Sequence, residues 1–113
     1  MTLRKACLTI LVLFLFRNVY AQQDSARLYR KIDSVFVLLN LKETQDNNAV
    51  SSAEQTISNA PALAANRDSA LLFFSRYMGW NAIKSDARRI YARYYSEKEI
   101  DELLRFYSST AGK

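Results

Sequence analysis

Histidine is absent from this 113-residue chain, and cysteine and proline each occur once. Catalysis near neutral pH usually draws on histidine, cysteine, a metal cluster or a perturbed pair of carboxylates. With no histidine, and with Cys7 near the N-terminus, the sequence argues against Ser-His-Asp and Cys-His arrangements and against most zinc sites. It therefore predicts a protein that is not an enzyme and that holds no metal or other cofactor.

Glycine is also scarce, with two residues in the whole chain, and the alternating β-branched pattern of strands does not occur. Apolar residues recur instead at the three- and four-residue spacing of helices. We expect an all-α fold, a small antiparallel helical bundle of four to five helices that follows a signal peptide. About ninety residues suffice for one domain with one modest core.

The first 21 residues have the features of a secretory signal peptide. Arg4 and Lys5 precede an apolar run over 6–16, which is shorter than the roughly 20 residues that cross a bilayer as a helix. Cleavage after about Ala21 would leave 22–113 as the mature helical domain, with no transmembrane segment. An uncleaved anchor is the alternative. We expect export to the periplasm or the outside of the cell.

Removal of the signal segment lowers the net charge. The chain has 16 basic and 11 acidic residues, a charge of +5, and loses the basic residues Arg4, Lys5 and Arg17, which leaves 13 against 11, or +2. So small a charge gives no reason to expect nucleic acid or an acidic polymer as a partner. The mature chain has no cysteine and must fold without disulfides.

The apolar spacing predicts helices over 24–42, 67–78, 81–95 and 97–109, with a weaker segment over 43–66. The inward residues of the first helix are Leu28, Ile32, Val35, Phe36 and Leu39. Those of the helix over 81–95 are Ile83, Ala87, Ile90 and Tyr94. Those of the last helix are Ile100, Leu103, Leu104 and Tyr107.

Three further local features complete this prediction. Polar residues over 45–48 indicate a break, after which Val50, Ala53 and Ile57 are spaced for a poorly apolar helix. The helix over 67–78 has apolar residues on more than one face, so it is either central or part of an interface. Gly79 is expected to end that helix in the left-handed conformation that glycine tolerates.

The start of the last helix carries a capping box. In this motif Ser96 and Glu99 each satisfy a backbone N–H of the other residue. Glu97, Asp101 and Glu102 add negative charge near the positive end of the helix dipole. We interpret the acidic cluster as capping and a solvated face. The alternative, a hydrolase using Glu99 and a nearby acid, is retained as a hypothesis.

The segment over 78–113 carries a motif of fixed spacing: a tryptophan, a tyrosine-bearing helix, a capped turn and a closing aromatic pair with glycine and lysine. The residues are Trp80, Tyr91, Ala92, Tyr95, Ser96, Glu99, Ile100, Phe106, Tyr107, Ser109, Thr110, Gly112 and Lys113. This motif resembles the conserved end of the bacterial family called domain of unknown function 2059. The resemblance implies a small, exported, all-helical protein and brings no catalytic or ligand residue with it.

Two departures from the family pattern accompany the resemblance. Thr110 stands where proline is commoner. Members of the family usually continue past the glycine and lysine into another helical stretch, so this chain is either a short member or lacks part of the fold.

Aromatic side chains in the last two helices are the candidate binding residues. Trp80, Tyr91, Phe106 and Tyr107 could line a groove for a ligand or partner, because such side chains combine apolar area with a polar tip. Core packing between the helices over 81–95 and 97–109 is the simpler interpretation. A basic stripe of Lys84, Arg88, Arg89 and Arg93 could make a weak contact with the cell envelope, or simply face solvent.

The sequence thus favours a non-enzymatic protein-interaction module of the periplasm or cell envelope, acting on a protein partner or by self-association. A carrier of a small ligand or lipid, using the aromatic seam between the last two helices, is the alternative.

Overall fold

The computed structural model describes residues 24–112. The signal peptide and its cleavage site, predicted from the sequence, lie outside this range. The helical elements are α1 over 24–38, α2 over Leu41–Asn59, a 3-10 helix over Pro61–Asn66, α3 over Arg67–Met78, α4 over Trp80–Tyr94, α5 over Glu97–Ser108 and a 3-10 turn over Thr110–Gly112. Residues 24–112 contain no strand, which confirms the all-α fold. In that range no helix is both long and apolar enough to span a bilayer.

The principal core joins α1, α4 and α5. Its buried side chains are Ile32, Val35, Phe36, Trp80 and Ile100. All of the inward residues that the sequence predicts for α1 and α5 pack in this cluster, so the prediction for these two helices is confirmed. A run of three or four apolar residues per two turns gives each helix one continuous buried stripe.

Ion pairs along α1 define the directions of its two neighbours. On one side, Arg27 pairs with Glu97 and Lys31 with Asp101, so residue numbers rise together and α5 runs parallel to α1. On the other side, α4 runs antiparallel, because its first residue, Trp80, lies beside the end of α1 while later residues of α4 reach back along it. The helices α4 and α5, on either side of α1, are therefore antiparallel to each other.

A second layer is formed by α2 and α3, which pack against each other as a hairpin. The inner face of α2 consists of small residues and one isoleucine, Ala49, Ala53 and Ile57. Small side chains let the two helix backbones approach closely. In contrast, α3 has no buried residue. The sequence leaves two alternatives for this helix, a central position or part of an interface. The central position is therefore wrong, and most of the outer face of α3 is open.

The sequence predicts a break at 45–48, but the break between α1 and α2 lies at Asn40. Asn40 has φ 52° and ψ 35°, the left-handed region that asparagine tolerates better than most residues. Residues 45–48 stay helical, and two of them bind the end of α3 and the start of α4. Gln45 donates to the Met78 carbonyl at 2.8 Å, and Asp46 accepts from the Trp80 backbone N–H at 2.8 Å.

Gly79 ends α3 in a different way from the one that the sequence predicts. Its φ of −67° and ψ of 167° are extended and not left-handed, so that prediction is wrong. The need for glycine is steric: a Cβ atom there would overlap the Ser75 carbonyl oxygen and lie 3.3 Å from the Asp46 carboxylate. Gly79 thus leaves room for Asp46 to cap α4 from a neighbouring helix.

The inner face of α4 differs from the prediction in its second half. Ile83 and Ala87 pack against the core as expected, but Tyr91 and Ala92 follow them there. Ile90 and Tyr94 are 55% and 71% exposed. The buried face of α4 therefore shifts toward Tyr91 in this half of the helix. There the ring centroids of Tyr91 and of Phe36 on α1 lie 4.9 Å apart, and this contact holds the Tyr91 side of α4 against the core.

Candidate functional site

The outer face of α3 carries the largest exposed apolar side chains that are adjacent on one helix. Leu72, Phe73 and Tyr77 are 69%, 57% and 60% exposed. Phe73 and Tyr77 are four residues apart and are therefore neighbours on the helix surface, and the same holds for Leu72 and Arg76. The rings of Phe73 and Tyr77 lie 4.8 Å apart, and the Arg76 guanidinium lies 5.8 Å from the Tyr77 ring. We call Leu72, Phe73, Arg76 and Tyr77 the α3 face.

The packing of the hairpin explains why this face is open. Leu71 and Phe74, on the other side of α3, are half-buried, and α3 packs against both α2 and α4. Four consecutive apolar residues over 71–74 cannot all face one neighbour, because successive residues on a helix point about 100° apart. The same sequence signal that predicts apolar residues on more than one face therefore produces a surface with no covering element among residues 24–112.

The four aromatic residues predicted to form a groove have separate positions. Trp80 is buried, 6% exposed, with its ring 5.4 Å from Phe36 in an edge-to-face contact. Tyr91 and Tyr107 are half-buried and pack against the same core. Burial raises the pKa of the Tyr91 hydroxyl. Phe106 is 53% exposed and contacts Tyr107 at its edge, with ring centroids 5.1 Å apart.

The sequence predicts that these aromatic residues pack between α4 and α5, but in the structure α1 lies between those two helices. Phe36 contacts both Trp80 and Tyr91, and close backbone approach links α3 to α4 and α2 to α4 but not α4 to α5. Three of the four predicted residues therefore take part in core packing, and the fourth, Phe106, lies at the surface.

A cleft of about 340 Å³ opens beside Trp80, between α1, the start of α2 and α4. Phe36 and Trp80 form its apolar lining, and Val37 at its edge is 78% exposed. Lys42 and Lys84 also border it. Sequence reasoning missed this cleft, although the five consecutive apolar residues over 35–39 exceed what one helix face can bury.

The two lysines differ in how firmly they are paired. Lys42 lies 2.7 Å from the Asp46 carboxylate, whose pKa falls because it accepts hydrogen bonds from Lys42 and from the Trp80 backbone. Lys84 lies 3.9 Å from Asp33. Asp33 is already engaged in a two-point contact with Arg88, with the Nε–Oδ1 bond at 2.6 Å. The Lys84 ammonium therefore retains donors for another anion.

The acidic cluster of α5 is committed to structure. Ser96 and Glu99 form the capping box, with the Ser96 backbone N–H 2.7 Å from the Glu99 carboxylate. Hydrogen bonds from this backbone N–H and from the Ser96 hydroxyl lower the pKa of Glu99. Glu97 accepts from Lys31 and Arg27, which lowers its pKa, and Asp101 accepts from Lys31. Each of these three carboxylates thus serves helix capping or the α1–α5 contact.

The four cations of the basic stripe on α4 are partly offset by two carboxylates, Asp33 and Asp86. Lys84 and Arg88 approach Asp33, and Arg89 pairs with Asp86 one turn earlier. Arg93 lies 5.9 Å from the ring of Tyr94. Among residues 24–112 no group of three acidic side chains is placed to hold a metal ion.

The C-terminal part of the chain is similar to a known protein family. The family model described as "Uncharacterized protein conserved in bacteria (DUF2059)" matches residues 81–113, which include nearly all of α4 and all of α5. The match confirms the resemblance drawn from the motif. No curated protein and no solved structure matched the chain. The matched segment excludes α3 and most of the cleft, so the family description bears on neither.

Proposed function

We propose that this protein is an exported, non-enzymatic interaction module that binds a protein partner through the α3 face. The observation that carries this proposal is the exposure of Leu72, Phe73 and Tyr77 on a helix that has no fully buried residue. Apolar side chains gain free energy when they leave water, so a surface of this kind is stabilised by a covering partner.

The size of the α3 face fits a binding surface. An aromatic side chain offers about 150–250 Å² of surface, so three side chains that are more than half exposed leave a patch on the order of 300–400 Å². That is the size of the largest apolar patch on a typical monomer, which is often functional. Arg76 adds a cation within the patch, and Arg, Tyr and Phe are the residue types that interfaces favour.

The rest of the chain supports the non-catalytic part of the proposal. Histidine is absent from the sequence, and the carboxylates of Glu97, Glu99 and Asp101 are engaged in capping or ion pairs. Export rests on the signal-peptide features of the first 21 residues. It is consistent with a mature sequence that has no cysteine and folds without disulfides.

A cross-linked pull-down from the cell envelope of the native host tests this proposal. The tagged protein is compared with F73Q/Y77Q, which makes the α3 face polar, and with I90Q/Y94Q. The control pair has the same four-residue spacing and similar exposure, at 55% and 71%. We expect the native protein and I90Q/Y94Q to capture the same partner, and F73Q/Y77Q to lose it.

The proposal is wrong if the captured proteins are the same for all three chains, provided that each melts at a similar temperature. Loss of capture in I90Q/Y94Q alone would move the interaction surface to α4.

A second candidate function is the binding of a small ligand in the cleft beside Trp80. Its volume of about 340 Å³ lies at the lower end of the range for ligand pockets. The volume of the cleft equals about eleven times the volume that a water molecule occupies in the liquid, which is enough for a small ligand. The apolar lining of Phe36, Val37 and Trp80, with Lys84 at the edge, suits a small carboxylate with an apolar body.

Tryptophan fluorescence tests this second candidate, because Trp80 is the only tryptophan in the chain. Titration with octanoate should change its emission and reach saturation, and K84Q should weaken the binding about tenfold. The matched control K98Q removes a lysine on α5, outside the cleft, and should leave the titration unchanged. A change that never saturates, or one that is equal for octanoate and a cationic alkylamine, would rule out a carboxylate site.

A further inference from the structure

The α3 face has a charge pattern that is complementary to itself. Asp68, Leu72 and Arg76 follow one another at intervals of four residues, so they form a single row along the helix surface. Asp68 is exposed, and so is Arg76. Neither side chain takes part in the ion pairs found within residues 24–112. The row therefore presents an acid, an apolar residue and a base in order.

A two-fold axis through Leu72 brings this row into register with a second copy of itself. When two α3 helices lie antiparallel, residues at equal distances on either side of Leu72 exchange places. Asp68 of each copy then faces Arg76 of the other, and the two Leu72 side chains meet at the axis. Rows with four-residue spacing are the ridges that interlock in the commonest class of helix packing.

We propose that the partner of the α3 face is a second copy of this chain, in an antiparallel, two-fold α3–α3 contact centred on Leu72. This inference rests on the proposed function and names its partner. Phe73 and Tyr77 lie along one side of the central row, roughly 100° and 140° around the helix from Leu72, at the edge of the contact. Like charges come together in a parallel arrangement, where Asp68 faces Asp68 and Arg76 faces Arg76, so the charges favour the antiparallel one.

The size of the contact sets the expected strength. A stable interface buries about 800 Å² on each partner, and the apolar part of the α3 face is less than half of that. We therefore expect a dimer that dissociates at low protein concentration, with Kd on the order of 10⁻⁵ to 10⁻⁴ M, and whose two exposed ion pairs weaken as salt rises.

Charge-swap variants, with the dimer Kd measured by sedimentation equilibrium, test the pairing of Asp68 with Arg76 of the other copy. D68R places arginine against Arg76 of the other copy, and R76D places aspartate against Asp68. Each single variant should weaken the dimer at least tenfold, and the double variant D68R/R76D should restore it to within about threefold of the native value. Equal Kd for all four chains, or a double variant weaker than both single ones, would overturn the proposal.

Disulfide trapping gives a second measurement, because reversed charges near helix ends can also lower the stability of α3 itself. In a C7S background, which removes the only native cysteine, L72C should form a covalent dimer on mild oxidation. S85C, an exposed position on α4, is the matched control. L72C dimers that form no faster than S85C dimers would overturn the inference.

The two proposals fail in different ways. If F73Q/Y77Q loses a captured envelope protein of another sequence while L72C does not form dimers, the α3 face binds a different partner and only the self-association is wrong. If capture does not depend on Phe73 and Tyr77 and L72C does not form dimers, both proposals are wrong.

Discussion

Truncation of Ile100 should remove a large part of the stability of the principal core. Ile100 of α5 is fully buried, with 0% exposure, in the cluster that joins α1, α4 and α5. Replacement by alanine deletes buried methyl and methylene groups and leaves a cavity, at a cost of about 2–5 kcal/mol. For a domain of this size each kcal/mol lowers the Tm by about 4–8 °C, so I100A should melt roughly 8–40 °C below the native chain.

The assay is thermal and urea unfolding followed by the fluorescence of Trp80, which lies in the same core. I100V should cost only about 0.5–1.5 kcal/mol, because a single methylene is lost. The matched control is I90A on α4, where the isoleucine is 55% exposed and truncation should change stability by no more than about 0.5 kcal/mol. An I100A chain as stable as I90A would refute the assignment of this core.

Three further predictions concern the contacts between elements. G79A should destabilise the chain by about 1–3 kcal/mol in urea melts, because the new Cβ overlaps the Ser75 carbonyl. D33N should lower the Tm, and less so in high salt, because it removes the carboxylate that Arg88 contacts at two points. The free energy of unfolding should fall as the pH drops below about 5. In the folded chain the pKa of Glu97 lies below its ordinary value of 4.5, and protonation of Glu97 breaks its ion pairs. E97Q should therefore flatten the pH dependence of the Tm.

Each of these predictions has a matched control. S85A, an exposed position on α4, should leave the urea midpoint unchanged where G79A lowers it. D86N removes the exposed carboxylate that pairs with Arg89 within α4 and should have a smaller effect than D33N. E102Q lies on α5 outside the ion pairs with α1 and should keep the native pH profile. A reversed order in any pair would contradict the corresponding contact.

The sequence predicted α1 and α5 well because each has one dominant apolar stripe. Their inward residues and the Ser96 start signal are local features, set by spacing and by two side chains three residues apart. The pattern therefore predicts both the helix and the face that it buries. In α4 the same reasoning failed at Ile90, because the position of Phe36 on another helix decides which side of α4 is buried.

The break between α1 and α2 and the cap of α4 could not be derived from local sequence. Gln45 and Asp46 look like loop residues, but their side chains bind backbone groups more than thirty positions away. A helix cap supplied by a different helix leaves no local signature. Asn40 carried the true signal, a residue that tolerates positive φ, but its neighbours on both sides fit a continuous helix.

The candidate surfaces were only partly visible before the fold was known. The apolar run over 71–74 showed that α3 has more apolar residues than one face can bury, but not which side stays open. Which side is open depends on α2, whose Ala49, Ala53 and Ile57 select the inner face of α3. The cleft beside Trp80 depends on three separate segments of the chain, so no single motif encodes it.

Site-specific photo-cross-linking in living cells tests the central claim most directly. A photoreactive amino acid at position 73, on the α3 face, is compared with one at position 90 on α4; the native side chains there are 57% and 55% exposed. We predict a strong, discrete adduct from position 73, with the mass of a dimer of this chain, and little from position 90. Equal adducts from both positions, or none from position 73 in folded and abundant protein, would contradict it.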